Sequence, residues 1–400
     1  MKSRAVAGPL DHIRVLDLSD EKGAYCTKLL ADLGARVTKV EPPEGDGMRR
    51  KPPYANDTPD PDGSLYFAYY HANKRSISLN LRARYGGRLL RKLVRASDVV
   101  VSSFSPAVGD ALRVHFAPLR RANPGLVFCS ITPFGLTGPY RNFRATHVTL
   151  HAMGGQMYTH GEAGGPPVTM PGIQMYDLAG SHAALSIMVA LRNRSAVGGQ
   201  AIDISIQEVM ATQSHVIQRY ALAAVVPPRE GHTPPNPPAG TWRCRDGYVE
   251  LQVWNASHWA GFLALMGHPQ ELSDPNWEQA MYRNQHREEV TRLVTEFTST
   301  QDKQQLAERA QALHVPAAAV NTLADFVKDP QPISRGFFVE VDHPPVGRAT
   351  VPGAPYRLSR PLWSLRTPAP PLGQHNHEVY CQELGFPPQQ IEQWQRAGLM

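Results

Sequence analysis

A strand–helix–strand unit near the start of the chain is the feature that most constrains the fold. The apolar pattern predicts strands at 13–19 and 36–41, joined by a helix at 25–33. A connection of this kind favours parallel pairing with a right-handed crossover. Further predicted strands alternate with helices over the next hundred residues, at 85–94 (helix), 98–104 (strand), 108–121 (helix) and 126–132 (strand). Such alternation predicts an α/β fold with a doubly wound, parallel sheet.

Length and a change of composition predict two domains. The 400 residues exceed the usual range for one domain. A proline-dominated stretch without apolar periodicity is typical of a stiff linker. We therefore predict the first part of a large domain at 1–226, a linker at 227–240, a smaller α/β domain at 241–330 and a C-terminal segment at 331–400.

Charge and cysteine usage exclude several classes of partner. The net charge of +6 comes from 41 basic and 35 acidic residues without a block typical of a nucleic-acid-binding arm. The N-terminus lacks the apolar core of a signal peptide, and no stretch reaches the roughly 18 apolar residues of a membrane span. Four widely spaced cysteines indicate neither a zinc site nor a disulfide framework. We therefore expect a cytoplasmic protein without a metal, nucleic-acid or membrane partner.

One carboxylate, Asp177, begins an apolar helical pattern that follows a loop rich in glycine and proline. Apolar residues recur at helical spacing from Leu178 to Leu191, with no charge before Arg192, which predicts a buried helix. At a helix start, unpaired backbone N–H groups and the helix dipole favour an ionised carboxylate, which suits a nucleophile. Aspartate is also a preferred N-cap residue. The residues alone leave both interpretations open.

Five segments, spread in register over nearly the whole chain, match one family pattern. They are GAYCTKLLADLGARVTKVE from Gly23, HANKRSISLNL from His71, NPGLVFCSITPFGLTGPY from Asn123, PPVTMPGIQMYDLAGSHAAL from Pro166 and APPLGQHNHEVYCQELG from Ala369. In this order they resemble the family III CoA-transferases, the group that includes formyl-CoA transferase and carnitine CoA-transferase. The resemblance implies a Rossmann-like large domain built from both ends of the chain, an inserted small domain and an interlocked homodimer. It would return the segment at 331–400 to the large domain.

The resemblance also implies a chemistry for Asp177, which falls on the family's catalytic aspartate. A carboxylate can attack an acyl-CoA thioester and later carry CoA as an aspartyl thioester, which splits one difficult exchange into easier steps. The implied substrates are an acyl-CoA and a carboxylic acid, with coenzyme A as substrate and product and no tightly bound cofactor. Residues matched to CoA contacts are Asn73, Lys74, Arg75, Phe104 and Arg144.

Several residues depart from the family pattern around CoA. Ser103 and Ser105 stand where the family commonly has Asn and Arg, and Ala111 replaces a second Arg. Asp20 adds a negative charge in the first loop. Losing cations weakens the binding of a polyanion, so a non-catalytic CoA-binding or scaffold protein remains an alternative. In the small domain, the stiff segment NPPAG (236–240) replaces a glycine-rich mobile loop.

A second reaction class on the same fold gives another alternative. The α-methylacyl-CoA racemases resemble this chain throughout and pair the aspartate with a histidine about thirty residues earlier. Here that position is Thr146, and His147 follows it directly. An acyl-CoA racemase or epimerase that uses Asp177 and His147 as two bases therefore stays open.

Overall fold

The computed structural model describes residues 8–213, 215–226, 229, 237–344 and 346–400. Within these residues the chain divides into two units. The first falls in Met1–Gln156, Thr169–Ala223 and Arg335–Met400, and the second in Met157–Val168 and Ala224–Ser334. The stretch at 157–168, which we predicted within the large domain, thus groups with the second unit. There the Arg229 guanidinium donates to the Tyr158 carbonyl at 3.0 Å and covers the Tyr158 ring.

Six parallel strands form the sheet of the first unit, in the order β3-β2-β1-β4-β5-β6. They are β1 (Arg14–Leu18), β2 (Arg36–Glu41), β3 (Arg75–Ser78), β4 (Val99–Ser102), β5 (Val127–Thr132) and β6 (Ala201–Ser205). Val15 in β1 is paired with both Val37 and Val99, so β1 lies inside the sheet. The α/β class and the doubly wound sheet are confirmed. The strand order reverses between β1 and β4, which is where sheets of this kind bind ligands.

Helices connect and follow these strands in the first unit. They are α1 (Glu21–Asp32), α2 (Leu65–Tyr70), α3 (Gly86–Arg95), α4 (Pro106–Leu112), α5 (Phe116–Ala122), α6 (His147–Met153), α7 (Gln174–Val197), α8 (Ile206–Thr212) and α9 (His215–Ala223). The single helix that we predicted at 108–121 is wrong. Arg113 adopts a left-handed φ of 55° and ends α4, so α5 begins separately.

Helix α7, which carries Asp177, crosses α1 closely. A Cβ at Gly180 would lie 2.8 Å from the backbone nitrogen of Cys26, so only glycine permits this approach. The prediction that the whole helix is buried is wrong, because its other face exposes 58% of Leu185 and 61% of Val189. The interlocked homodimer stays a prediction, and this uncovered apolar face is a surface that a second copy could cover.

The second unit contains a three-stranded antiparallel sheet with strands β7 (Gly240–Cys244), β8 (Gly247–Leu251) and β9 (Ala317–Ala319). The first two pair antiparallel and form a hairpin around Asp246. Its helices are α10 (Ala256–Met266), α11 (Ala280–Gln285), α12 (Arg287–Ser299), α13 (Lys303–Ala312), α14 (Leu323–Lys328) and α15 (Pro330–Ser334). Most of the linker predicted at 227–240 lies outside the described residues. At its described end, the carbonyls of Pro237 and Pro238 accept hydrogen bonds from Arg283 and Trp242.

The C-terminal part of the first unit packs against β3. It contains the hairpin of β10 (Phe338–His343) and β11 (Gly347–Pro352), a π-helical segment (His377–Glu383) and α16 (Pro388–Arg396). The Asn376 side chain accepts from the Ser78 N–H at 2.9 Å, and the buried Tyr380 hydroxyl donates to the Ser78 carbonyl at 3.0 Å. In the part of the chain that the structure describes, no helix combines the length and apolar character needed to cross a bilayer.

Candidate active site

Asp177 lies in the first turn of α7 but does not cap the helix. The helix begins at Gln174, and the cap position belongs to Ile173, whose carbonyl accepts the Asp177 N–H at 3.4 Å. The carboxylate instead accepts hydrogen bonds from the Tyr70 hydroxyl, at 2.9 Å to Oδ1 and 3.0 Å to Oδ2. The N-cap interpretation of this residue is therefore wrong.

Burial controls the ionisation of Asp177. It raises the pKa of the carboxyl to about 6, and the hydrogen bond from Tyr70 offsets only part of that shift. The expectation that the helix start would hold the group in its ionised form is thus outweighed by desolvation. Near neutral pH the carboxylate is still ionised, and it is more basic than an ordinary aspartate. Both properties suit a nucleophile.

Tyr70 belongs to a group of four packed tyrosines that we call the tyrosine cluster, Tyr25 of α1 with Tyr66, Tyr69 and Tyr70 of α2. The Tyr70 ring is 7% exposed and stacks on Tyr66, with Tyr25 and Tyr69 edge-on. Packing on three sides fixes the hydroxyl that holds Asp177. Sequence analysis missed this cluster, although its spacing of i, i+3 and i+4 in LYFAYYH is a visible helical signal.

A cavity of about 590 Å³ opens at the carboxyl edge of the sheet, in the size range of small-molecule sites. The loops after β1, β2, β3 and β4 line it, so it spans the switch point of the strand order. Arg50, Arg82 and the ring of Phe104 are among its lining residues. Two cations beside an aromatic ring can hold a phosphate-bearing ligand with a flat base.

Two of the departures from the family pattern contact each other in this cavity. The Ser103 hydroxyl donates to the Asp20 carboxylate at 2.7 Å and accepts the Asp20 N–H at 2.8 Å. Lys22 also pairs with Asp20. A third departure, Ser105, caps α4 by accepting the Val108 N–H. The hydrogen bonds between Asp20 and Ser103 therefore link the loop after β1 to the loop after β4, across the switch point of the strand order.

Comparison with known proteins decides the family. The pattern of CoA-transferase family III matches residues 10–376. The chain belongs to CoA-transferase family III. It is 33% identical to the formyl-CoA:oxalate CoA-transferase of Streptomyces coelicolor, over 98% of this chain and 100% of that protein. It is 34% identical to the succinyl-CoA–D-citramalate CoA-transferase of Chloroflexus aurantiacus, over 96% of each.

A solved structure agrees with this assignment. The crystal structure of a CaiB/BaiF family protein from Brucella suis superposes with a TM-score of 0.85 at 30% identity, and covers 94% of this chain and 99% of that one. The resemblance stated from the sequence is confirmed, and so is the enzyme class. The protein is a CoA-transferase, an enzyme whose substrates are CoA thioesters.

In this CoA-transferase, four of the five residues matched to CoA contacts fall in two cavities. Phe104 lines the cavity at the carboxyl edge, whereas Asn73, Lys74 and Arg75 line another, of about 470 Å³, where β2 and β3 begin. Sequence analysis missed the residues after β3 that do line the first cavity, Asn80 and Arg82 among them. Their place directly after a strand at the carboxyl edge of the sheet is the signal that could have found them.

Asn73, Lys74 and Arg75 each have protein partners. The Lys74 ammonium is fully buried, lies 2.7 Å from the Thr27 hydroxyl and 3.2 Å from Asp17, and has its pKa lowered to about 8 by burial. Asn73 donates to Asp32 at 2.7 Å. Arg75 pairs with Glu378 and Glu383. These contacts account for the three residues without a ligand.

Arg144 and His147 are not joined to Asp177. Arg144 is exposed before α6, and the described residues give its guanidinium no hydrogen bond or ion pair. His147 begins α6, with its ring edge-on to Tyr176 at 6.3 Å. Among the side chains that the structure describes, the one hydrogen-bonded to the Asp177 carboxylate is Tyr70. Nor does any group of three described His, Cys, Asp or Glu residues form a site for a metal ion.

Replacing Asp177 with the uncharged isostere asparagine is expected to stabilise the fold at neutral pH. The pKa of the Asp177 carboxyl in the folded protein, about 6, lies above the ordinary value of 3.8. The ionised carboxylate therefore opposes folding increasingly as the pH rises from about 4 to 6. Asp177→Asn should be more stable than the native chain by about 1–3 kcal/mol at pH 7.5 and by much less at pH 4.5.

Urea unfolding of both proteins at the two pH values measures this difference. Asp110→Asn, which removes a carboxylate that is 77% exposed, is the matched control and should show little pH-dependent gain. An advantage of Asp177→Asn that stays constant between pH 4.5 and 7.5 would contradict the raised pKa.

Proposed function

We propose that this CoA-transferase moves CoA from an acyl-CoA to a carboxylic acid through a covalent intermediate on Asp177. The observation that carries the proposal is the carboxylate itself, which is largely buried, has a pKa of about 6 and is oriented by one fixed hydroxyl. The relatives' names support the substrate classes, because they pair CoA thioesters with acids such as oxalate and citramalate.

The steps conserve charge and need no external proton. A carboxylate oxygen of Asp177 attacks the thioester carbonyl, and a new C–O bond forms. The C–S bond then breaks, CoA departs as the thiolate, and a mixed anhydride of Asp177 and the donor acid is formed. The thiolate attacks the aspartyl carbonyl and releases the donor acid, which leaves an aspartyl-CoA thioester. The acceptor carboxylate attacks that thioester, the C–S bond breaks with release of CoA thiolate, and a second anhydride forms. CoA thiolate then attacks its acyl carbonyl, which yields the new acyl-CoA and restores Asp177.

Tyr70 has two functions in this scheme. Before reaction its hydroxyl orients both oxygens of Asp177 and favours the ionised form. When thiolate or acceptor attacks the aspartyl carbonyl, negative charge develops on an oxygen that this hydroxyl already faces. A donor held in place by ring packing can stabilise that charge without reorganising.

CoA is proposed to bind in the cavity at the carboxyl edge of the sheet. Arg50 and Arg82 would contact its phosphates, and Phe104 would pack against its base. Asn73, Lys74 and Arg75 then act by supporting the fold. We further propose that the enzyme works in the cytoplasm, where its four free cysteines stay reduced, and as a homodimer that covers Leu185 and Val189.

Trapping during turnover tests the covalent mechanism. Formyl-CoA or succinyl-CoA is mixed with enzyme and oxalate or citramalate, and hydroxylamine is added before digestion and mass spectrometry. We expect a hydroxamate on Asp177, and both turnover and label should be absent in Asp177→Asn. An active enzyme with unmodified Asp177 would contradict the mechanism. Deuterium entering the α-carbon of an acyl-CoA without an acceptor acid would instead support the racemase that uses His147.

Removing the Tyr70 hydroxyl should slow the reaction while leaving CoA binding intact. A hydrogen bond to a charged group is worth about 1.5–3 kcal/mol, so Tyr70→Phe should lower kcat about 10- to 100-fold with little change in KM for acyl-CoA. The acidic limb of the kcat/KM profile should move above pH 6, since a donor to the carboxylate is lost.

Tyr66→Phe is the matched control, because it keeps the ring stack and removes a hydroxyl that is not bonded to Asp177. It should change kcat by less than about threefold, since no hydrogen bond to the carboxylate is lost. Equal losses in Tyr66→Phe and Tyr70→Phe, or an acidic limb that does not move, would show that Tyr70 acts through packing alone.

Arg82→Ala and Arg75→Ala separate the two cavities. Loss of a phosphate contact should raise KM for acyl-CoA about 5- to 30-fold in Arg82→Ala without lowering the melting temperature. Arg75→Ala should lower the melting temperature, because it breaks the contacts with Glu378 and Glu383, and leave KM nearly unchanged. Steady-state kinetics and thermal unfolding give both readouts. A larger KM effect from Arg75→Ala would place CoA at the other cavity.

A further inference from the structure

The positive charge of this chain is concentrated in one segment. Residues 82–121 contain nine Lys and Arg residues and two Asp residues, whereas the net charge of the whole chain is +6. The rest of the chain therefore carries slightly more acidic than basic residues. Because the segment forms α3, β4, α4 and α5, these cations share one region of the first unit.

Four arginines of this segment line one groove among α3, α4 and α5, which we call the arginine groove. They are Arg91, Arg95, Arg113 and Arg121. The groove has a volume of about 320 Å³, and Leu90, Leu112 and Leu119 are among its apolar lining residues. None of the described residues that line it is acidic. Its guanidinium groups therefore share a small space without a countercharge in the lining.

The same four guanidinium groups have no partner among the described residues, in hydrogen bonds, ion pairs or ring contacts. Neighbouring cations do have partners. Arg88 lies over the Tyr85 ring, Lys92 over Phe386 and Arg120 over Phe116. Apart from Arg82, which lines the CoA cavity, the cations of this segment without a partner among the described residues are thus the four that line the groove. Like charges gathered in this way repel one another, and a bound polyanion would remove the repulsion.

We propose that the arginine groove binds a small ligand through a diphosphate group. Guanidinium forks hold phosphate oxygens in bidentate pairs, and four of them match the several charges of a diphosphate better than one carboxylate. The groove is concave and lies near the lower limit of small-molecule sites, which favours such a ligand over a flat membrane or a duplex. Its leucine floor can accept the organic part of a nucleotide.

This site is separate from the cavity proposed for CoA, although Leu112 lines both. Arg82 and Phe104 line only the CoA cavity, and the four arginines line only the groove. The proposal is therefore independent of the chemistry at Asp177. Loss of transferase activity in Asp177→Asn has no bearing on it, and the groove variants are expected to keep basal transferase activity.

Titration calorimetry with inorganic pyrophosphate and with ADP, at constant ionic strength, tests the groove. The native enzyme should bind at least one probe saturably. Arg91→Ala/Arg95→Ala and Arg121→Ala should each weaken the dissociation constant at least tenfold. Arg88→Ala on the same helix and Arg120→Ala beside Arg121 are the matched controls and should stay within about twofold. Circular dichroism and basal activity verify that every variant is folded.

The two probes distinguish the sources of the diphosphate. Equal affinity for pyrophosphate and ADP would support the proposal with the diphosphate alone sufficient, and tighter ADP binding would support a nucleotide. Absence of saturable binding to the native enzyme would overturn it. Equal weakening of probe binding in the matched controls would also overturn it, because it would indicate diffuse electrostatics. A loss of probe binding seen only in Arg82→Ala would overturn it as well, because it would place the probe in the CoA cavity. Binding of duplex DNA or anionic vesicles through the four arginines, without binding of either probe, would also overturn it.

Discussion

A buried charge network around Asp17 holds together the parts of the first unit on which the CoA cavity and the surroundings of Asp177 depend. Asp17 is fully buried in β1, yet Lys39 and Lys74 outweigh the effect of burial and bring its pKa down to about 2. The carboxylate also accepts from Ser19 at 2.6 Å and Thr27 at 2.7 Å. Removing one member would leave an uncompensated charge inside the protein, which costs several kcal/mol. The network therefore fixes β1, β2, α1 and the end of α2 relative to one another.

The CoA cavity and the surroundings of Asp177 both depend on that network for their geometry. Lys39 donates to the carbonyl of Ser19, where the first loop of the CoA cavity begins. Lys74 follows α2 by four residues, so the same charges anchor the helix that carries the tyrosine cluster to α1. The Gly180 crossing then brings α7 against α1 and places Asp177 beneath Tyr70. The nucleophile is positioned by elements that are far apart in the sequence but share one buried set of charges.

This distance along the chain explains what the sequence could and could not predict. Period-2 and period-3.6 patterns are local, and they located β2 at its observed bounds and α3 within one residue. Segment matches located Asp177 for the same reason. The burial that raises its pKa, the hydroxyl of Tyr70 107 residues away and the Asp17 partner of Lys74 all arise from tertiary contacts. From the sequence alone, Lys74 in NKRS therefore resembles a residue that binds phosphate, because its buried partners are not visible there.

Tertiary contacts also determine how the loss of cations at Ser105 and Ala111 affects the charge of the CoA cavity. Acidic groups at the CoA cavity are largely neutralised, since Asp20 pairs with Lys22 and Asp46 pairs with Lys39. Two further cations line that cavity, Arg50 after β2 and Arg82 after β3. Charges within a Debye length of about 8 Å still act on an approaching polyanion. The cations proposed to contact the phosphates of CoA therefore lie in the loops after β2 and β3, as Arg50 and Arg82, instead of in the segment after β4 that contains Ser105 and Ala111.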